Sequence, residues 1–402
     1  MDGTFLQKSY DGSKLNSLKR EIIRLFVVGG NYSITDLSKD MNLSVPTVTK
    51  MIGELISEGY VTDFGKQGTN GGRKPNIYGL NPNAGYFVGV DIAKDSIGLG
   101  VITFKGQLVE YAGNREFVLE NTMQSLDELC RIINNFMDHL SVPRKKILSV
   151  GVNLSGRVNS ESGFSYSFLF LGEKPLSMMI EERINCNVFI ENDSRAMTYG
   201  EFMNCEEEGR RNMLYINASW GLGLGIIIDG KLYYGKSGFS GEFGHFPFYE
   251  NEIICRCGKR GCLETGASGS ALHRIFTEKL KEGRVSMLSE KFSVGGNISL
   301  DDIMNAIQKE DVLAIELIEN IGEELGKALS GLINIFNPEL IIIGGTLAKA
   351  KDSLLLPVKS AINKYSLNLV SKDTKIKLSR LGEKGGVVGA CMLVRSKTIG
   401  LL

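Results

Sequence analysis

The stretch HFPFYENEIICRCGKRGC, residues 245–262, constrains this chain more than any other. It holds His245, Cys255, Cys257 and Cys262 in a chain with only three histidines and seven cysteines. Three thiolates and an imidazole suit zinc, and four protein ligands complete its tetrahedron. One structural Zn(2+) per chain is therefore expected, with no position left for an activated water. A Cys-x-Cys pair can wrap one metal, whereas a disulfide across that spacing would be strained. Gly258 and Gly261 turn the chain back to Cys262, and Lys259 and Arg260 offset the thiolate charge. The alternatives are four unrelated side chains with reduced thiols, or a redox site. Glu242 lies three residues before His245, and Glu264 two after Cys262. A metal would fix both carboxylates and the imidazole around one point, where they could grip the hydroxyls of a sugar ring. The ring nitrogen not on the metal stays free for such a hydroxyl. By themselves these acids could equally be surface carboxylates.

The N-terminal part has a different character. LNSLKREIIRLFVVGG predicts a helix with Leu15, Leu18, Ile22, Leu25 and Phe26 on one face, stopped at Gly29-Gly30. SITDLSKDMN predicts a short helix capped by Ser33, with Asp36 completing a capping box. A third helix follows from Val45 to about Glu58. Ser44 caps it, Pro46 fits its first turn, and Val48, Ile52, Leu55 and Ile56 form its apolar stripe. Two strands around a glycine-rich basic loop come next. Helix, helix, helix and basic hairpin describe a winged helix-turn-helix; the plainer alternative is a small helical packing domain. The start of a recognition helix is the part that reaches base edges. That makes Pro46, Thr47, Thr49 and Lys50 candidate DNA contacts. Lys66, Arg73 and Lys74 on the wing are candidates for the DNA backbone or minor groove. Residues 1 to 80 carry ten Lys and Arg against eight Asp and Glu. So small an excess makes one domain a weak binder, and a homo-oligomer on palindromic double-stranded operator DNA is expected.

From Tyr86 onward strands and helices alternate. YFVGVDIAKDSIGLGVITFKGQLVEYA reads as two or three strands with hairpin turns, and NMLYINASWGLGLGIIIDGKLYYG repeats that pattern. The repetition points to two related α/β lobes. The expected division is 1–80, a winged helix-turn-helix; 81–200, a first lobe; and 201–402, a second lobe with the metal site and an oligomerisation surface. Across the 402 residues 46 Lys and Arg balance 46 Asp and Glu. That excludes a strongly basic coat while leaving room for one small DNA-binding domain. No apolar run is long enough to span a membrane, and the first residues lack a signal-peptide core. The expectation is a cytoplasmic protein without membrane insertion.

Gly244-His245 followed by Cys255-x-Cys257-Gly258-x-x-Gly261-Cys262-x-Glu264 resembles the signature of the ROK family (repressors, open reading frames and kinases). The chain is similar to the family's transcriptional repressors of N-acetylglucosamine and xylose genes, over nearly its whole length. The resemblance implies an N-terminal winged helix and a two-lobed actin/hexokinase-like (ribonuclease H-like) body that binds a sugar. Its sugar-binding pair falls on Asn192-Asp193, and in family kinases that aspartate takes the proton from the sugar hydroxyl. Glu242, His245 and Glu264 carry over as the remaining sugar contacts. It further implies a homodimer or homotetramer built by the body.

The chain departs from the pattern in several places. Ser155-Gly156 stands where Pro-Gly is usual. Arg195 replaces a small or amide residue, which would alter the charge of the pocket. The kinase phosphate loop, Asp-x-Gly-Gly-Thr, is Asp91-Ile92-Ala93-Lys94-Asp95 here. A phosphate cradle needs close backbone approach and a donor, and Asp95 would add repulsion. The second phosphate motif, Gly-Thr-Gly-x-Gly, is Ser219-Trp220-Gly221-Leu222-Gly223. Gly344-Gly345 resembles the adenosine-side turn. The balance favours a sugar-responsive repressor without catalytic residues, answering to a sugar or sugar phosphate. A sugar kinase of the same fold is the alternative, and a DNA-binding or docking module with a dead pocket is a third reading. Some family members answer to a transporter protein instead of a free sugar.

Overall fold

A computed structural model describes residues 14–66, 75–205 and 211–402. The wing-tip candidates Arg73 and Lys74 lie outside the described residues. The chain forms two compact units. The first contains Met1–Leu154, Ser162–Glu191 and Ala390–Leu402; the second contains Ser155–Glu161 and Asn192–Gly389.

The first unit begins with α1 (Lys14–Gly29), β1 (Tyr32–Ser33), α2 (Ile34–Asp40), α3 (Val45–Ser57), β2 (Val61–Lys66) and β3 (Asn76–Leu80). Both predicted caps are present. Ser33 and Asp36 form a reciprocal capping box, and Ser44 accepts from the Thr47 amide at the head of α3. The strands pair in the order β1-β3-β2, and β2 with β3 makes an antiparallel wing. Two packing expectations fail. Ile56 is exposed, and Met51 takes its place in the buried stripe of α3. Leu15 is exposed as well, while Lys19 is buried on the inward face of α1. The Lys19 ammonium lies 2.8 Å from Glu54 in α3 and 2.6 Å from Glu58, which caps the end of that helix. A long apolar stem with a paired head can occupy a position that patterning assigns to leucine.

The rest of this unit is built on β4 (Tyr86–Ile92), β5 (Ser96–Thr103), β6 (Leu108–Glu116), α4 (Met123–Asp138), β7 (Ile147–Leu154), α5 (Leu176–Ile184) and β10 (Val188–Asn192), with a small ribbon of β8 (Val158–Asn159) and β9 (Phe164–Ser165). Its main sheet runs β10-β7-β4-β5-β6. β4 pairs antiparallel with β5 and parallel with β7. Every residue of β7 is buried, as expected for a central parallel strand.

The second unit contains α6 (Asp193–Met203), β11 (Met213–Ala218), β12 (Leu222–Ile228), β13 (Lys231–Leu232), α7 (Gly269–Lys281), α8 (Ser289–Ser293), α9 (Leu300–Gln308), α10 (Val312–Phe336), β14 (Leu340–Gly344), α11 (Asp352–Tyr365), α12 (Asn368–Ser371) and β15 (Lys375–Leu378). Its sheet runs β13-β12-β11-β14-β15. β11 pairs antiparallel with β12 and parallel with β14. The first sheet places β4 in the same way, antiparallel to β5 and parallel to β7, with β5 antiparallel to β6. The repeat read from the sequence is thus a repeat of topology. The last helix, α13 (Gly385–Ile399), contributes residues to both units.

Candidate functional site

The cysteine loop is built from short local contacts. His245 ends a one-turn 3-10 helix, Phe243–His245. The Cys255 amide donates to Lys259 O, and the Gly258 amide donates back to Cys255 O. Gly258 has φ 82° and Gly261 φ 71°, a conformation that side chains with a Cβ rarely adopt. The result brings one ligand atom each from His245, Cys255, Cys257 and Cys262 within 4.8 Å of one another. Cys257 Sγ and Cys262 Sγ are 3.6 Å apart, and His245 Nδ1 is 3.5 Å from Cys255 Sγ. A tetrahedron with metal–sulfur bonds of about 2.3 Å has edges of about 3.8 Å, so the donor set fits a metal ion. Burial pushes the Cys255 thiol up to about 12, and the negative charge of Glu264 adds to the effect. A cation among these sulfurs would remove that penalty.

His245 turns its other nitrogen outward, where Nε2 lies 3.8 Å from Glu242 Oε2. Glu264 is 8% exposed. Its Oε2 accepts from the Leu222 amide at 3.0 Å, and its Oε1 is 3.7 Å from Cys255 Sγ. A Cβ on residue 221 would sit 2.8 Å from that carboxylate, which explains the glycine.

The second group of predicted site residues opens α6. The Asn192 side chain caps the helix by accepting from the Arg195 amide at 3.1 Å and donates to Gly156 O at 2.9 Å. Asp193 accepts from Ser155 Oγ at 2.7 Å and from the Ser194 amide at 2.7 Å. Burial raises the Asp193 carboxyl above its ordinary value, against the hydrogen bonds of Ser155 and Ser194 and the charge of Arg195. Strand β12 lies against both groups. Leu222 holds Glu264, while Gly223 faces Ser194, whose Oγ would lie 2.1 Å from an added Cβ. Two residues join the site that the sugar pattern does not include. Ser155 puts a donor where proline has none. Arg195 is 3% exposed, with its donors on Gly238 O and Val158 O. It is a buried tie, and the expected change of pocket charge is felt through Asp193.

The phosphate-side loops hold themselves. Ala93, Lys94 and Asp95 are exposed in a tight hairpin turn closed by Ala93 N to Ser96 O at 2.9 Å. Lys94 pairs loosely with Asp95 at 3.5 Å. The carbonyls of Ser219 and Trp220 accept from the amides of Gly269 and Ser270, at the start of α7. Backbone donors at a helix start, which could receive a phosphate, serve the chain itself. The Trp220 ring packs 5.5 Å from that of His273.

On the winged helix, Pro46, Thr47, Thr49, Lys50 and Lys66 are all exposed. Thr47 Oγ1 lies 2.8 Å from Ser44 Oγ, and Thr49 Oγ1 donates to Val45 O. Both hydroxyls therefore have local partners that DNA would have to match.

A model of the ROK family matches residues 87–397, and one of winged helix-turn-helix DNA-binding domains matches residues 15–62. The chain belongs to the ROK family. The xylose repressor of Caldicellulosiruptor bescii is 30% identical over 371 residues, covering 90% of this chain and 92% of that protein. A glucokinase of Halalkalibacterium halodurans is 31% identical over 322 residues, covering 78% of this chain and 96% of the kinase. Among solved structures, a ROK family transcriptional regulator homologous to E. coli Mlc superposes with TM-score 0.79. It has 27% identity and 96% coverage of both chains. This ROK chain therefore has a kinase-like body and a DNA-binding domain in front of it. No helix among the described residues is long and apolar enough to cross a membrane.

Proposed function

We propose that this protein is a sugar-responsive, DNA-binding transcriptional repressor of carbohydrate-use genes, and not a kinase. The observation that carries the reading is the winged helix, with the start of α3 exposed, joined to a ROK body whose phosphate-side loops close on themselves. In this reading α3 enters the major groove of operator DNA through Pro46, Thr47, Thr49 and Lys50, while Lys66, Arg73 and Lys74 hold the backbone beside it. The ion pairs of Lys19 with Glu54 and Glu58 keep α3 at a fixed angle to α1. Asn192, Asp193, Glu242, His245 and Glu264 take the sugar or sugar phosphate. The acids accept hydrogen bonds from the sugar hydroxyls without removing a proton, because the loops that would bring a phosphoryl group close on themselves.

His245, Cys255, Cys257 and Cys262 would hold one zinc ion. Bound there, zinc supplies charge and rigidity, with no open coordination position. Nδ1 would face the metal, so Nε2 stays beside Glu242 for a hydroxyl. The protein works in the cytoplasm as a homodimer or homotetramer, so that two winged helices meet a palindrome.

The test is a gel shift on DNA upstream of neighbouring sugar genes, with D-glucose, D-xylose, N-acetyl-D-glucosamine and their phosphates as probes. Specific binding that one probe changes is expected, and Lys50→Ala should weaken it. A protein that ignores the DNA but phosphorylates a sugar would replace this reading with the kinase.

A further inference from the structure

Residues 155–161 leave the first unit and pack with the second. Four side-chain bonds hold this excursion. Ser155 donates to Asp193, Asn192 to Gly156 O, Asn159 to Ser237 O at 3.3 Å, and Arg195 to Val158 O at 2.8 Å. The same guanidinium donates to Gly238 O at 2.7 Å and lies 5.6 Å from the centre of the Tyr234 ring. Gly238 belongs to the loop that leads into Glu242. That loop has little freedom at its far end, since a Cβ at Gly241 would lie 2.0 Å from Leu224 O. Arg195 thus stands two residues into α6 from Asp193, just over half a turn on, with one hand on each segment beside the site.

We propose that Arg195 is a positioning residue that sets the distance between the 155–161 turn and the 233–241 loop, and thereby the shape of the effector site. A planar guanidinium fits this task because its donors diverge in a rigid fork, so two carbonyls from different segments are held at one spacing. An ammonium can reach one carbonyl or the other without fixing their separation. Burying a cation is costly unless its donors are used, so the arrangement favours one geometry over a range of loose ones. Arg195 acts without touching the sugar; it holds the segments that flank Asp193 and Glu242. The effect on the effector rests on the sugar-binding role proposed above; the hold on the two segments does not.

The experiment uses the full chain with Arg195→Met and Arg195→Lys. Amide hydrogen exchange is followed over residues 156–159 and 233–241, beside zinc content, sugar affinity and operator affinity without sugar. In the Met variant, exchange in those two segments should rise roughly tenfold or more. Exchange in β11 and β14, zinc content and sugar-free operator binding should stay at the parent's values. Whichever of D-glucose, D-xylose or N-acetyl-D-glucosamine binds the parent should bind roughly tenfold more weakly. The Lys variant should fall between. Parent-like exchange in both segments of the Met variant overturns the proposal, and so does loosening spread evenly over the whole unit. If none of the three sugars binds the parent, the exchange result still decides the positioning role. If the Met variant does not fold, the Lys variant decides alone: loosened segments in an otherwise native unit support the role, and parent-like segments overturn it.

Discussion

The residues proposed for the sugar and the loops that match the kinases' phosphate motifs have fared differently in this chain. On the sugar side, Asn192, Asp193 and Glu264 are engaged in hydrogen bonds that also build the fold: a helix cap, a tie to Ser155, a hold on β12. On the phosphate side, Asp91 and Ile92 end β4, and the three residues 93–95 form an ordinary, exposed hairpin turn. A side chain that serves both packing and binding is costly to replace. A glycine kept only so that phosphate can approach is not. If the proposed sugar site is right, the contrast means that the body can abandon nucleotide and keep the residues that shape that site.

The bluntest attack on this comparison is removal of residues 1 to 80. Operator binding should vanish, while the remainder stays a folded, zinc-containing oligomer that binds sugar. Gel shift and metal analysis check this, and specific DNA binding by the remainder would refute the assignment. Next in size is Cys257→Ser, which strikes the sugar side through its support. Metal analysis should show loss of about one zinc per chain, and thermal unfolding should show a large loss of folded protein, because structural zinc contributes folding free energy directly. A folded, metal-free variant with an intact sugar response would mean that the site stands without its metal.

Asp193→Ala should be milder. Losing a charged acceptor costs about 1.5 to 3 kcal/mol, so calorimetry should find sugar binding roughly tenfold weaker or more, with sugar-free operator affinity unchanged. Asp193 also has a pH signature. Its folded-state pKa is raised above the ordinary aspartate value. Sugar affinity should therefore be full above that raised value and decline as pH falls through it. Folding has the opposite sign, since the native state holds this proton more tightly and the group's contribution to stability declines as pH rises. The smallest signal belongs to the phosphate side. A coupled assay over a sugar panel should register no phosphorylation above roughly 0.1 per second, against about 1 to 1000 per second for typical enzymes. Turnover above that level would break the comparison outright.

What could be read directly from the residues was local. Ser33 with Asp36 and Ser44 ahead of Pro46 depend on groups a few positions apart, and the four candidate ligands fall within one 18-residue stretch turned by Gly258 and Gly261, so spacing goes far to determine whether they can meet. The repeated strand pattern also carried through, because alternation and glycine punctuation are local signals. The proposed sugar pair and its acids were legible only through family resemblance, since nothing local distinguishes Asp193 or Glu264 from other acids. Tertiary structure decided the rest. It buried Met51 and exposed Ile56, put Lys19 between a glutamate of α3 and the one that caps it, and drew Ala390–Leu402 into the first unit. It also turned Arg195 inward onto two carbonyls more than thirty residues away in the chain. Such choices depend on which backbone groups from distant segments lack partners once the chain is packed, and a buried donor must go where those acceptors are.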